Sequence, residues 1–219
     1  MQLIETAPSA STPIGRAPDR LIVIGAGAGG PQALAQILPG LPADLPATLV
    51  VVQQMRSGFT RVLADHLNQI CSIPIREPTD GQTLQASRVL MVPAGYVLTV
   101  APTDDVQGPG WAVVLEDARD QPERLRRRVN DTMTSAVQAF GSKSIGVLLT
   151  GTGEDGAEGM IAIARADGAT IVQDENSSVV FDLPSSAIRS GAAREVLPLW
   201  RISGRIEELV MGGANAAAA

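Results

Sequence analysis

The sequence predicts an α/β protein: a doubly wound, mostly parallel sheet with helices on both faces and an antiparallel hairpin excursion. Three observations predict it. Two glycine-rich turns, Gly25 to Gly30 and Gly151 to Gly156, each follow a short aliphatic run and precede a helical pattern, which is how a parallel crossover unit begins. Such turns bring the carboxyl-end loops of their strands together at one crevice of an open sheet. The chain is also 45% apolar but only 3% aromatic, a balance suited to close packing of helices on a sheet.

Leu21 to Ile24 is the first strand, four aliphatic residues enriched in β-branching. The glycines after it let the backbone bend sharply and approach whatever lies above. Pro31 suits the first turn of a helix, where a missing N–H costs nothing. Ala33, Leu34, Ile37 and Leu38 continue that helix to Pro39-Gly40, and Thr48 to Gln53 is a second buried strand. Phe59 to Ile70 has a helical period and Ile73 to Ile75 is a short strand. Val89 to Val92, Tyr96 to Val100 and Trp111 to Leu115 are β-rich runs separated by Pro93-Ala94-Gly95 and by the loop Pro102 to Gly110. They predict local antiparallel hairpins. Val129 to Phe140 is a helix, Ile145 to Thr150 a strand, and the second glycine turn opens a helix through Met160 and Ile163. Thr170 to Gln173, Leu183 to Ser190, Val196 to Leu199 and Arg201 to Val210 then read strand, helix, strand, helix. The domain is expected over 21–210, with disordered tails at 1–20, where Ala, Ser, Thr and Pro show no period, and at 211–219.

With 219 residues and a formal charge of −6 the chain lacks the basic face that phosphate binding needs, so nucleic acid is not an expected partner. A single cysteine, Cys71, excludes an intrachain disulfide and fits a small buried hydrophobe in a reducing compartment. No apolar run approaches the ~20 residues that span a bilayer, and the first residues lack the pattern of a secretory signal. A cytoplasmic protein without membrane insertion is expected, and no metal-ligand or cofactor pattern is present.

Gly25-Ala26-Gly27-Ala28-Gly29-Gly30 satisfies the G-x-G-x-x-G spacing of dinucleotide-binding turns. That chemistry also needs an acid at the end of the second strand to hold the ribose. Here the strand ends in Gln53-Gln54. A nucleotide-binding module remains an alternative without its acid. A serine-type hydrolase needs a hydroxyl on a tight turn, an imidazole and an orienting carboxylate. The first turn has no hydroxyl, and the only histidine, His66, lies within the Phe59 to Ile70 helix. Gln121 to Arg128 is the one basic cluster, either a solvated helix start or a surface facing an anion.

Four segments together resemble the CheB-type protein-glutamate methylesterases of bacterial chemotaxis. They are Ile24 to Gly30, Val52 to Thr60, Leu149 to Met160, and Val179 to Pro184 with Ala187-Ile188 and Val196 to Leu199; order and spacing match from Leu21 to Ile206. The resemblance implies a domain that hydrolyses glutamate methyl esters on chemoreceptors with a serine, a histidine and an aspartate. It places the serine on Gly27, the threonine after it on Ala28, and the histidine on Gln54, with Met55 retained and Arg56 in place of a proline. Only the aspartate survives, as Asp155, in a turn that also carries Thr152; the family's Arg-Pro-Ser-Val-Asp segment falls on Arg126-Arg127-Arg128-Val129-Asn130. The resemblance also implies a preceding receiver domain, which the twenty residues before Leu21 are too few to supply.

A glycine offers no oxygen to attack an ester, and a glutamine has no useful pKa for a base near neutral pH. The expectation is therefore a catalytically silent domain that binds a protein partner, chemoreceptor-like or another signalling protein. Its binding residues are expected among Ala28, Met55, Thr152, Arg126, Arg127 and Arg128. The alternative is an active esterase with relocated residues, using Ser57 or Thr152. Asp155 is expected to cap the helix it begins.

Overall fold

A computed structural model describes residues 15–105 and 108–216. The strands are β1 (Arg20–Ala26), β2 (Ala47–Gln53), β3 (Ile75–Arg76), β4 (Arg88–Met91), β5 (Tyr96–Asp105), β6 (Gly108–Asp117), β7 (Ser144–Leu148), β8 (Ala169–Gln173) and β9 (Glu195–Leu197). The helices are α1 (Gly30–Ile37), α2 (Phe59–Ile70), α3 (Pro122–Leu125), α4 (Arg128–Phe140), α5 (Ala157–Arg165), α6 (Asp182–Arg189) and α7 (Leu199–Ala216).

Seven strands form one parallel sheet in the order β3-β4-β2-β1-β7-β8-β9. β1 and β2 are buried almost throughout because both faces are covered, which is why they read as unbroken aliphatic runs rather than alternating ones. Alternation along β1 still divides the core. Ile22 and Ile24 meet α1, α2 and α7 through Leu34, Leu67 and Ile206, while Leu21 and Val23 meet α4, α5 and α6 through Met133, Met160 and Ala187.

The three β-rich runs after Val89 divide differently from the expected hairpins. β4 joins the main sheet, parallel to β2 and β3. Only β5 and β6 pair antiparallel, as a separate two-stranded sheet. β4 is as apolar as β2 and finds its partner by burial, a long-range choice that local turn signals do not carry.

Both expected tails are shorter than predicted where they are described. Backbone bonds from Asp19 to Pro46, and from Ala86 to Arg16, tie down the approach to β1. α7 runs past Val210 to Ala216, since extending an existing helix adds a bond for each residue fixed. The remainder of the two tail expectations lies outside the described residues. No helix among the described residues is long and apolar enough to cross a membrane.

Candidate functional site

Because β1 has β2 on one side and β7 on the other, the chain leaves it in opposite directions, and the loops after β1, β2 and β7 converge at one crevice. The first and third meet backbone to backbone. The Gly27 N–H donates to the Thr150 carbonyl at 2.9 Å and the Gly151 N–H to Val180 at 2.9 Å. A Cβ placed on Gly151 would lie 2.7 Å from the Gly27 nitrogen. A Cβ on Gly27 would lie 2.8 Å from Gln54 Oε1, 2.9 Å from the Gly151 Cα and 3.2 Å from the Thr152 nitrogen. The space above Gly27 is thus filled from two sides, by the Gln54 carboxamide and by the neighbouring turn.

Side chains that sequence reasoning did not single out hold these turns. Gln53, 1% exposed at the end of β2, donates through Nε2 to the Gly27 carbonyl at 2.8 Å and to the Gln54 carbonyl at 3.0 Å. Gln173, fully buried at the end of β8, accepts the Thr150 N–H at 2.8 Å. Thr150 Oγ1 accepts the Val179 and Val180 N–H groups and donates to the Ala28 carbonyl at 2.9 Å. The available signal was a polar residue ending an apolar buried strand, since such a group must find a partner. Gln53 Oε1 has none among the described residues and lies where a Cβ on Gly30 would come within 2.1 Å. Gly30→Ala must therefore push aside a carboxamide fixed at its other end. It is expected to cost about 1–3 kcal/mol and to lower the melting temperature by roughly 2–4 °C per kcal/mol in a thermal scan.

Asp155 is 8% exposed and acts between helices. Its Oδ2 and Oδ1 accept the N–H groups of Val129 and Asn130, each at 3.0 Å. Asn130 Oδ1 in return accepts the Gly156 and Gly159 N–H groups at 3.0 and 2.9 Å. Each residue thus satisfies orphan donors in the first turn of the other's helix. Asp155 caps α4, and the expectation that it caps the helix it begins is corrected: that cap comes from Asn130. Burial pushes the Asp155 carboxyl up to about 6, against the pull of the two backbone N–H groups and of the Arg128 guanidinium.

Gln54 and Asp155 line one cleft of about 430 Å³ together with Arg126, Arg127, Asn130 and Glu158. Four of the expected binding residues stand outside its lining. Arg128 is buried, donating to the Gln53 carbonyl at 3.0 Å, and so supports the site from behind. Met55 packs against the core beside α2. Ala28 and Thr152 are exposed on their turns without lining the cleft, and Ser57 is exposed in the loop before α2. Arg126 and Arg127 reach the cleft but hold Glu123 at 3.4 Å and Glu158 at 2.7 Å. The isolated arginine run of the sequence is in fact part of a surface ion-pair lattice. Cys71 packs partly buried against the core, and burial pushes its thiol up to about 11, as suits an inert side chain. No cluster of metal-ligating side chains occurs among the described residues.

A family model described as CheB methylesterase matches residues 22–206. The chain is 41% identical over 198 residues to a protein-glutamate methylesterase/protein-glutamine glutaminase of Symbiobacterium thermophilum, covering 90% of this chain and 52% of that protein. It is 40% identical over 193 residues to one from Carboxydothermus hydrogenoformans, covering 88% and 56%. The chain thus spans about half the length of these curated relatives. Among solved structures, the Thermotoga maritima CheB methylesterase catalytic domain superposes with a TM-score of 0.79 at 34% identity, covering 87% of this chain and 98% of that one.

Proposed function

The chain belongs to the CheB methylesterase family, and from that premise we propose that it is a catalytically silent member acting as a binding or regulatory protein in a bacterial chemosensory-type pathway of the cytoplasm. One observation carries this. At the place of the nucleophile stands Gly27, with no oxygen and with Gln54 Oε1 and the Gly151 backbone in the space a side chain would need. Asp155, the one retained triad position, has both oxygens engaged in capping α4. The framework is kept and the covalent route is closed.

The cleft then serves as a contact surface. Arg126 and Arg127 meet their carboxylate partners only at the surface, where ion pairs are weak and a partner's carboxylates can replace them. Binding to the cytoplasmic fragment of a chemoreceptor, measured by surface plasmon resonance, is expected to weaken as salt rises. It should weaken about tenfold in Arg126→Glu/Arg127→Glu. Binding insensitive to both changes would overturn this role for the arginines.

The names of the relatives favour a second possibility, an active hydrolase. Ser57 or Thr152 would have to supply the nucleophile, and the only imidazole, His66, is exposed on α2. A nucleotide site at the glycine turn is the weaker alternative. That turn lies against Gly151 and under Val179, and β2 ends in Gln53 rather than an acid.

A further inference from the structure

The exposed face of α2 carries an unpartnered apolar stripe. Phe59, Val62 and Ile70 are 58%, 63% and 46% exposed. With His66 they recur at i, i+3, i+7 and i+11, along one side of a helix whose adjoining face buries Thr60, Leu63, Ala64 and Leu67. Single exposed apolar residues are ordinary, whereas a row of them on one helix marks an interaction surface.

Charge around the stripe says what kind of surface. Arg56 precedes α2 and Arg61 lies in its first turn, and neither is in an ion pair among the described residues. Arg119, Arg124, Arg126, Arg127, Arg189, Arg194 and Arg205 each hold a carboxylate, whereas Arg20, Arg76, Arg88, Arg165 and Arg201, like Arg56 and Arg61, are in no ion pair among the described residues. α2 starts after Gly58 with no side-chain cap and no acid of its own in the first turn; the one carboxylate held there is Glu77, which accepts the Thr60 hydroxyl at 2.5 Å on the buried side. Asp65 is the one carboxylate on the helix. Arg56 and Arg61 thus flank the N-terminal end of the stripe with positive charge, and apart from His66 the stripe itself is apolar.

Resting on the partner-binding role above, we propose that α2 docks an amphipathic helix of a partner protein. The partner's apolar stripe lies on Phe59, Val62 and Ile70, and its carboxylates point toward Arg56 and Arg61. A helix fits because the exposed row follows helical spacing over three turns, which a facing helix can match along its length. A membrane surface fits less well, since the chain's charge of −6 opposes an anionic bilayer.

The test uses the full chain and three fluorescent synthetic helices of about 20 residues, long enough to be helical in water. One has a leucine stripe flanked by glutamates, one the same stripe flanked by lysines, and one glutamates with serine in place of leucine. Only the first is expected to bind by fluorescence anisotropy. Phe59→Ser/Val62→Ser should weaken it by at least about tenfold through lost apolar burial. Arg56→Glu/Arg61→Glu should also weaken it and flatten its salt dependence. Both variants replace exposed side chains, and their melting temperatures should stay within about 2 °C of the natural chain. Equal binding of the lysine helix, or indifference to Phe59→Ser/Val62→Ser, would overturn the proposal. So would flotation with phosphatidylglycerol vesicles in place of helix binding, or a dimer dissociated by the same variants. Methanol release assayed in the same preparations separates the two levels. Turnover would remove the silent-domain role and leave the docking face standing, whereas no turnover and no helix binding would remove the docking face alone.

Discussion

The natural chain is expected to release no methanol above the uncatalysed rate from a methyl-esterified chemoreceptor fragment, and a serine-reactive phosphonate should leave it unlabelled. Enzymes lower barriers by enough to give enhancements of roughly 10⁶ or more. In the serine protease worked out as a template, removing the triad leaves roughly 10³–10⁴-fold over water from the oxyanion hole and binding. Here even that remainder is opposed sterically, because Gln54 and Gly151 crowd the space above Gly27. Gly27→Ser/Gln54→His should raise turnover at least about tenfold over the natural chain by returning a nucleophile and a base. Its gain is limited by the 2.9 Å approach of the Gly151 Cα, a backbone contact that cannot swing away as Gln54 can. Gly27→Ser alone should therefore be destabilised by about 1–3 kcal/mol. Gln54→Ala should relieve part of that cost, a coupling readable in a double-mutant cycle by urea denaturation. Turnover by the natural chain with a label on Ser57 or Thr152 would overturn catalytic silence and favour the relocated-residue alternative.

Much of this was legible in the residues, and the boundary is physical. The strands β1, β2, β7 and β8 and the turns between them were readable because a strand buried on both faces is an unbroken aliphatic run and a turn of close approach is glycine. The pairing of β4 with β2 was not, since the turn residues around Pro93 report local bends and say nothing about a partner some forty residues earlier. At the site, that Gly27 carries no hydroxyl and Gln54 no imidazole could be read from the residues alone. That Gln54 fills the space above Gly27, and that Arg128 points inward to the Gln53 carbonyl, depend on side-chain directions set by packing. In a row of three arginines, charge alone gives no reason for the third to be buried. Asn130 was matched to the family's aspartate, yet its two bonds into α5 come from a helix pairing that the sequence separates by more than twenty residues.

That pairing makes Asp155 the residue whose removal should matter most for stability. Asp155→Ala strips an acceptor from two N–H groups in the first turn of α4, and a buried unsatisfied donor costs about 1–3 kcal/mol. The loss is expected to depend on pH with a definite sign. Burial holds the folded carboxyl at about 6, above the ordinary carboxylate value that the unfolded chain keeps. The unfolded state therefore ionises first as pH rises. Asp155's contribution to stability is full below about pH 4 and falls as pH climbs to about 6, after which it is flat. At roughly 1.36 kcal/mol per pKa unit the fall amounts to as much as about 3 kcal/mol. The alanine variant lacks this titration, so urea denaturation should find it more destabilised relative to the natural chain at pH 5 than at pH 8. Asn130→Ala, which unbinds the Gly156 and Gly159 N–H groups without removing a titrating carboxyl, should cost a similar amount with little dependence on pH. If Asp155→Ala instead left stability unchanged at pH 5 while abolishing an ester-hydrolysing activity, the carboxylate would be poised for catalysis rather than holding α4 against α5. The pH-dependent loss expected here is that of a buried aspartate held in place by the helix it caps.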